Sequence, residues 1–165
     1  MTESAPSEGT VERALGLAYS YLARRERTER ELREYLENKD ITAAIADEAV
    51  AELVELGYID DARYARLFAQ DKRALEGWGA ERIARTLRER GLARELIELA
   101  LEGQGREDEL EQALALLQRR CPEPPVERRE RERALRILLR KGYESELALE
   151  AVQVHAASSQ ARTLR

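Results

Sequence analysis

A chain of 165 residues with 28 lysines and arginines against 33 aspartates and glutamates carries a formal net charge of −5, which argues against a polyanion binder that works through its whole surface. Ala, Leu, Glu, Arg and Lys dominate while β-branched and aromatic residues are scarce, so the expected fold is all-α, with length enough for a substantial core. A lone cysteine excludes an intrachain disulfide, and no apolar run approaches the roughly 20 residues of a membrane-spanning helix, which points to a cytoplasmic protein without a membrane partner.

Residues 1–10 are polar and lack the basic and apolar regions of a signal peptide, so a flexible N-terminus is expected. From 11 to 25, Leu15, Ala18, Tyr19 and Leu22 recur at three- and four-residue spacing, the signature of an amphipathic helix. Thr28-Glu-Arg-Glu31 has the capping-box pattern and starts a second helix that runs to about Asn38. Thr42 is placed to cap a third, with Ile45, Ala49, Leu53 and Leu56 as its buried stripe and Gly57 as its left-handed terminator. These three helices form a first repeat over 11–59.

A second repeat, 60–102, opens with Asp60 or Asp61 as cap, packs Tyr64, Leu67 and Phe68, and turns at Gly77-Trp78-Gly79. Helices over 80–90 and 93–102 follow, separated by Gly91. After a short linker at 103–106, a third repeat, 107–155, uses Leu110, Leu114 and Leu117 and breaks at Cys121-Pro-Glu-Pro-Pro125. It resumes from Glu127 to Lys141, turns at Gly142-Tyr143, and ends in a helix capped by Ser145. Residues 156–165 read as a flexible C-terminus.

The three segments are copies of one another. Leu32, Leu36, Lys39 and Ile41 correspond to Ile83, Leu87, Arg90 and Leu92, and these to Ala134, Leu138, Lys141 and Tyr143, at an interval of 51 residues. Tandem units of this kind touch mainly their neighbours, so three three-helix repeats in an elongated, curved array are expected. That shape suits binding along a long partner better than enclosing a substrate.

The residues offer little for catalysis. His155 is the only histidine and has no nucleophile or orienting carboxylate in sequence, so it reads as a solvated tail residue. Cys121 precedes Pro122 near Arg119 and Arg120, which favour a thiolate, but no resolving cysteine exists. One His and one Cys do not make a four-ligand zinc site. Gly77-Trp78-Gly79 is a turn rather than a phosphate loop, because Arg82 stands where a third glycine is needed and no strand precedes it. Asp60-Asp61 read as helix caps rather than an acid–base pair. The expectation is no enzyme, no metal and no cofactor.

Four stretches together resemble the RecX family: Tyr21-Leu-Ala-Arg-Arg-Glu-Arg-Thr28 with Glu31-Leu32; Leu56-Gly-Tyr-Ile-Asp-Asp-Ala-Arg-Tyr-Ala65; Gly77-Trp-Gly-Ala-Glu-Arg-Ile83 with Arg90-Gly-Leu92; and Leu139-Arg-Lys-Gly-Tyr143. The resemblance covers about residues 13–154. Asp40 stands where the family's first repeat usually has glycine, and Ala80 where proline often follows the turn. The resemblance implies a modulator that binds the RecA–DNA filament and curbs its growth, ATP hydrolysis, strand exchange and coprotease activity. A monomer is expected, and the acidic net charge makes single-stranded DNA a weak or indirect partner.

Charge is segregated along the chain, and the basic helices of repeats two and three are the candidate contacts: Arg82, Arg85 and Arg88, then Arg128, Arg129, Arg131, Arg136 and Arg140. A rival reading is a helix-turn-helix DNA-binding protein, and a non-catalytic helical scaffold is a third. The rival is weakened by acidic third helices, with Asp47, Glu48, Glu52 and Glu55 in one and Glu95, Glu98 and Glu102 in another, which phosphate would repel.

Overall fold

The computed structural model describes residues 7–163, and among them it contains helices α1 (Ser7–Leu22), α2 (Glu29–Glu37), α3 (Ala43–Glu55), α4 (Asp61–Glu76), α5 (Ala80–Glu89), α6 (Arg94–Leu101), α7 (Arg106–Arg120), α8 (Arg128–Lys141) and α9 (Ser145–Thr163), with no strand. Residues 1–6 and 164–165 lie outside the described part. Within it, α1 starts at Ser7 and α9 runs through Thr163, so residues 7–10 and 156–163 are helical where flexible ends were expected. The run Ala156-Ala-Ser-Ser-Gln-Ala-Arg-Thr163 is rich enough in helix formers to continue the helix past its packed face.

The caps explain most of the boundaries. Thr28 Oγ1 accepts from the Glu31 amide at 3.1 Å while Glu31 accepts from the Thr28 amide at 3.0 Å, so the capping box forms. Asp60 caps α4 through the Arg63 amide at 2.9 Å. Thr42 occupies the N-cap position of α3 but makes no side-chain cap bond. Before α9 the cap is Glu144, whose carboxylate accepts from Glu146 and Leu147 at 3.0 and 3.2 Å; Ser145 is already the first helical residue. Leu56 is 57% exposed rather than buried, because α3 stops at Glu55 and the stripe stops with it. Tyr19 and Leu67 are likewise exposed at the margin of their helices, with Tyr19 edge-on to Tyr58 at 5.1 Å.

The described residues form two compact units, one of residues 7–65 with 87–97 and the other of 66–86 with 98–163. The second repeat contributes to both. In the first unit, Ala14, Ala18, Leu32, Leu36, Ala49, Val50 and Leu53 are fully buried. The N-terminus of α2 has amides with no partner inside its own helix, and buried amides must be paired. Asp61 at the start of α4 supplies one acceptor, taking the Glu29 amide at 3.0 Å. Thr28 donates its hydroxyl to the Arg90 carbonyl at 3.0 Å. Gly91, at φ +83, lies so near Arg30 that an added Cβ would sit 2.1 Å from its Cδ.

The second unit repeats this joint 51 residues later. Glu109 on α7 accepts from the Ala80 amide at 2.9 Å. Gly79 and Glu81 donate to the Lys141 and Gly142 carbonyls at 2.8 and 3.1 Å. Gly142, at φ +88, is pressed against Arg82, 2.2 Å from its Cβ if a Cβ were present. In each unit, then, the start of one repeat's second helix rests on the glycine turn of the next repeat and is capped by an acid from that repeat's first helix.

Asp40 is the equivalent of Gly91 and Gly142, and it too is left-handed, at φ +62. It is exposed, so it meets only the conformational half of the requirement. A left-handed L-residue costs about 1–2 kcal/mol, partly offset because glycine gains more entropy on unfolding. Asp40→Gly is therefore expected to stabilise the protein by about 0.5–1 kcal/mol, read as a higher urea midpoint at unchanged slope.

Tyr143 is fully buried and donates its hydroxyl to the Gly77 carbonyl at 3.0 Å. Burial, with Glu109 nearby, pushes this hydroxyl up to about 12 from its ordinary 10.0. A folded-state value above the unfolded one means that the stabilisation is complete below pH 10 and lost as pH rises toward 12. One of the six tyrosines is expected to ionise near pH 12 in an ultraviolet titration, and Tyr143→Phe is expected to flatten the loss of stability across that window.

Candidate partner-binding surface

The three arginines of α5 do different things. The Arg82 guanidinium lies over the Trp78 ring at 3.9 Å and donates to the Arg140 carbonyl at 3.3 Å. Lys72 Nζ approaches the same ring at 4.8 Å and pairs with Glu76. Trp78 is 8% exposed, so it is a packed residue of the second unit, and Arg82 is part of its packing. Arg85 and Arg88 are exposed, Arg85 in the second unit and Arg88 in the first. At about 100° per residue, the three fan over about 120° of the helix.

α8 sorts its arginines more sharply. Ala134 and Leu138 are fully buried and hold one side of the helix against the core of the second unit. On the opposite side, Arg129, Arg133, Arg136 and Arg140 follow at steps of four, three and four residues and fall within an arc of about 60°. All four are exposed. None has a carboxylate in ion-pair reach among the described residues; Arg136 reaches only the Glu132 carbonyl, at 3.4 Å. Arg128 lies outside the arc and pairs with Glu132 at 2.9 Å. Arg131 lies nearly opposite it and donates to the Pro125 carbonyl at 3.4 Å. Arg133 was not among the sequence candidates, although the four–three–four spacing was there to be read.

At the end of α8 the positive charge is crowded. Burial holds the Lys141 ammonium below its ordinary range, and Arg120, Arg82 and Arg119 push it further down. Its Nζ donates to the Glu76 carbonyl at 2.8 Å. Glu130, the acid nearest the start of the stripe, is occupied by the Val126 and Glu127 amides, which hold its carboxyl below the usual range.

The remaining candidates are structural. His155 is buried, and its Nε2 lies 2.7 Å from the Cys121 carbonyl, which the ring N–H serves as donor. It is thus a staple between α9 and the end of α7, not a solvated tail residue, because α9 continues beyond it. Asp60 caps its own helix and Asp61 caps α2. An open groove of about 850 Å³ runs along α4 and α7, lined by Gln70, Arg73, Gln104 and Gln112 among others, without a nucleophile beside a base. No cluster of three or more potential metal ligands occurs among the described residues, and none of their helices is long and apolar enough to cross a membrane.

Models of the first, second and third three-helix domains of RecX match residues 14–53, 60–101 and 107–152. The chain belongs to the RecX family. Among its RecX relatives, the regulatory protein RecX of Deinococcus radiodurans is 39% identical over 132 residues, covering 80% of this chain and 63% of that one. Regulatory protein RecX of Listeria monocytogenes is 32% identical over 142 residues, covering 84% and 52%. The chain therefore spans between about half and two thirds of the length of these relatives. The crystal structure of RecX from Lactobacillus salivarius shares the fold with a TM-score of 0.79 at 22% identity, over 89% of this chain and 97% of that one. A second RecX crystal structure gives 0.71 at 26% identity, over 84% and 69%.

Proposed function

We propose that this RecX protein is a non-catalytic, cytoplasmic regulator that binds the RecA–DNA filament as a monomer and lowers its growth, ATP hydrolysis, strand exchange and coprotease activity. The observation that carries the reading is the run of three RecX domains along one chain. The contacts assigned to it are basic: Arg129, Arg133, Arg136 and Arg140 of α8 and Arg85 of α5 in the second unit, and Arg88 in the first, while Arg82 packs on Trp78. Arginine suits this role because its planar fork meets carboxylates and phosphates two bonds at a time.

The test is single-stranded-DNA-dependent ATP hydrolysis by the cognate RecA, titrated with this protein. Inhibition well below one molecule per RecA indicates end capping or net disassembly, and inhibition only near equimolar ratio indicates coating. No effect at any ratio, with helicity intact, removes the regulator reading.

A further inference from the structure

We infer that the Arg129–Arg133–Arg136–Arg140 stripe of α8 is a binding site for a nucleic-acid phosphodiester backbone, the component of the filament that this helix grips if the reading above holds. Every residue in its arc is arginine, so no apolar side chain interrupts it, and the flanking Glu132 and Glu130 are engaged by Arg128 and by backbone amides. Arginine also serves at protein interfaces, but there it works beside apolar or aromatic anchors. A bare row of cations instead gives an attraction that is electrostatic and indifferent to sequence.

The dimensions agree. Eleven residues at about 1.5 Å each make the stripe about 16 Å long, and a duplex strand presents a phosphate about every 3.4 Å along the axis, so the row runs beside about five of them. The four guanidinium groups are also free to bind. They are exposed, and no internal carboxylate must be abandoned first. The net charge of −5 does not oppose this, because it is summed over the whole chain while the backbone meets one helix face.

The test needs no RecA, so its failure is separable from failure of the regulator reading. Binding of a fluorescently labelled oligothymidylate is followed by anisotropy across a salt series. Releasing counterions from four phosphates contributes about −2.8 to the slope of log K against log salt for a single strand. Arg129→Gln, Arg133→Gln, Arg136→Gln and Arg140→Gln together are expected to remove that contribution, each alone removing about 0.7. The pair Arg128→Gln and Arg131→Gln, on the same helix but off the stripe, is expected to leave it unchanged. All variants are expected to melt with the wild type. Oligothymidylate binding that is absent in the wild type, or a slope that survives the quadruple change, overturns the site. Displacement by poly-glutamate at equal charge overturns it in favour of an acidic protein surface.

Discussion

Replacing Gly142 by alanine is expected to lower the unfolding free energy by about 3–4 kcal/mol, and more than the same change at any other glycine whose surroundings are described. Two independent costs meet there. The residue has φ +88, where a Cβ is strained, and that Cβ would lie 2.6 Å from the Arg82 amide nitrogen and 2.9 Å from its Cα. Backbone cannot swing aside as a side chain does, so the start of α5 must lift. The Glu81 bond to the Gly142 carbonyl and the Tyr143 bond to Gly77 are then at risk. Gly79→Ala comes next. Its φ is ordinary, but the Cβ would be 2.4 Å from the Gly142 carbonyl oxygen. Gly91→Ala follows: its φ of +83 adds strain and the Arg30 Cβ lies 2.8 Å away, but the nearest clash, with Arg30 Cδ, is relieved by a side-chain rotation. Gly16→Ala is the control: nothing lies within 4 Å of its Cβ position in the middle of α1, and alanine there is expected to add about 0.5–1 kcal/mol. Thermal melts read the order, at about 2–4 °C per kcal/mol for a chain of this size. Equal losses at Gly142 and Gly16 would show that the turn does not carry the joint.

Reversing the four stripe arginines to glutamate is expected to raise the concentration of this protein needed for half-inhibition of RecA ATP hydrolysis at least thirtyfold, if each lost contact weakens binding by about 0.5–1 kcal/mol. Fold stability is expected to change little, since the four side chains are exposed on the face away from Ala134 and Leu138. Reversal of Arg128 and Arg131 is expected to cost less than threefold. Arg82→Glu is a different experiment. It removes the guanidinium stacked on Trp78 and is expected to lower the melting temperature and shift the emission of this, the only tryptophan. Loss of inhibition in Arg82→Glu with an unchanged melt and spectrum would return Arg82 to the binding surface, whereas full inhibition by the quadruple variant would remove α8 from it.

Much of the fold was legible in the chain itself. Helix content follows from propensity and the absence of strand-forming runs, and the interval of 51 residues announces the repeat through Leu32, Leu36 and Ile41 and their counterparts. Local signals held at the Thr28–Glu31 box, which formed as its pattern required, but Thr42 makes no cap bond and Glu144 takes the place of Ser145. They failed where the partner was distant. His155 looked idle because the Cys121 carbonyl that it serves is 34 residues away, and Arg82 looked like a free cation because the Arg140 carbonyl it bonds is 58 residues away and the turn at Gly142 closes on it only after folding.

The candidate surface divides in the same way. The basic segments were visible as composition, but composition does not say which arginines point to solvent. That was decided by the burial of Ala134 and Leu138, which fixes the rotation of α8, separates Arg129, Arg133, Arg136 and Arg140 from Arg128 and Arg131, and brings Arg133 into the set. The sequence by itself determined an all-helical tandem repeat and its family, because helix periodicity and turn residues are properties of short stretches. Tertiary structure alone decided the joints, since a glycine's need for contact space, a carboxylate's choice of amide and a helix's rotation depend on atoms that are tens of residues apart along the chain and touch only in the folded molecule.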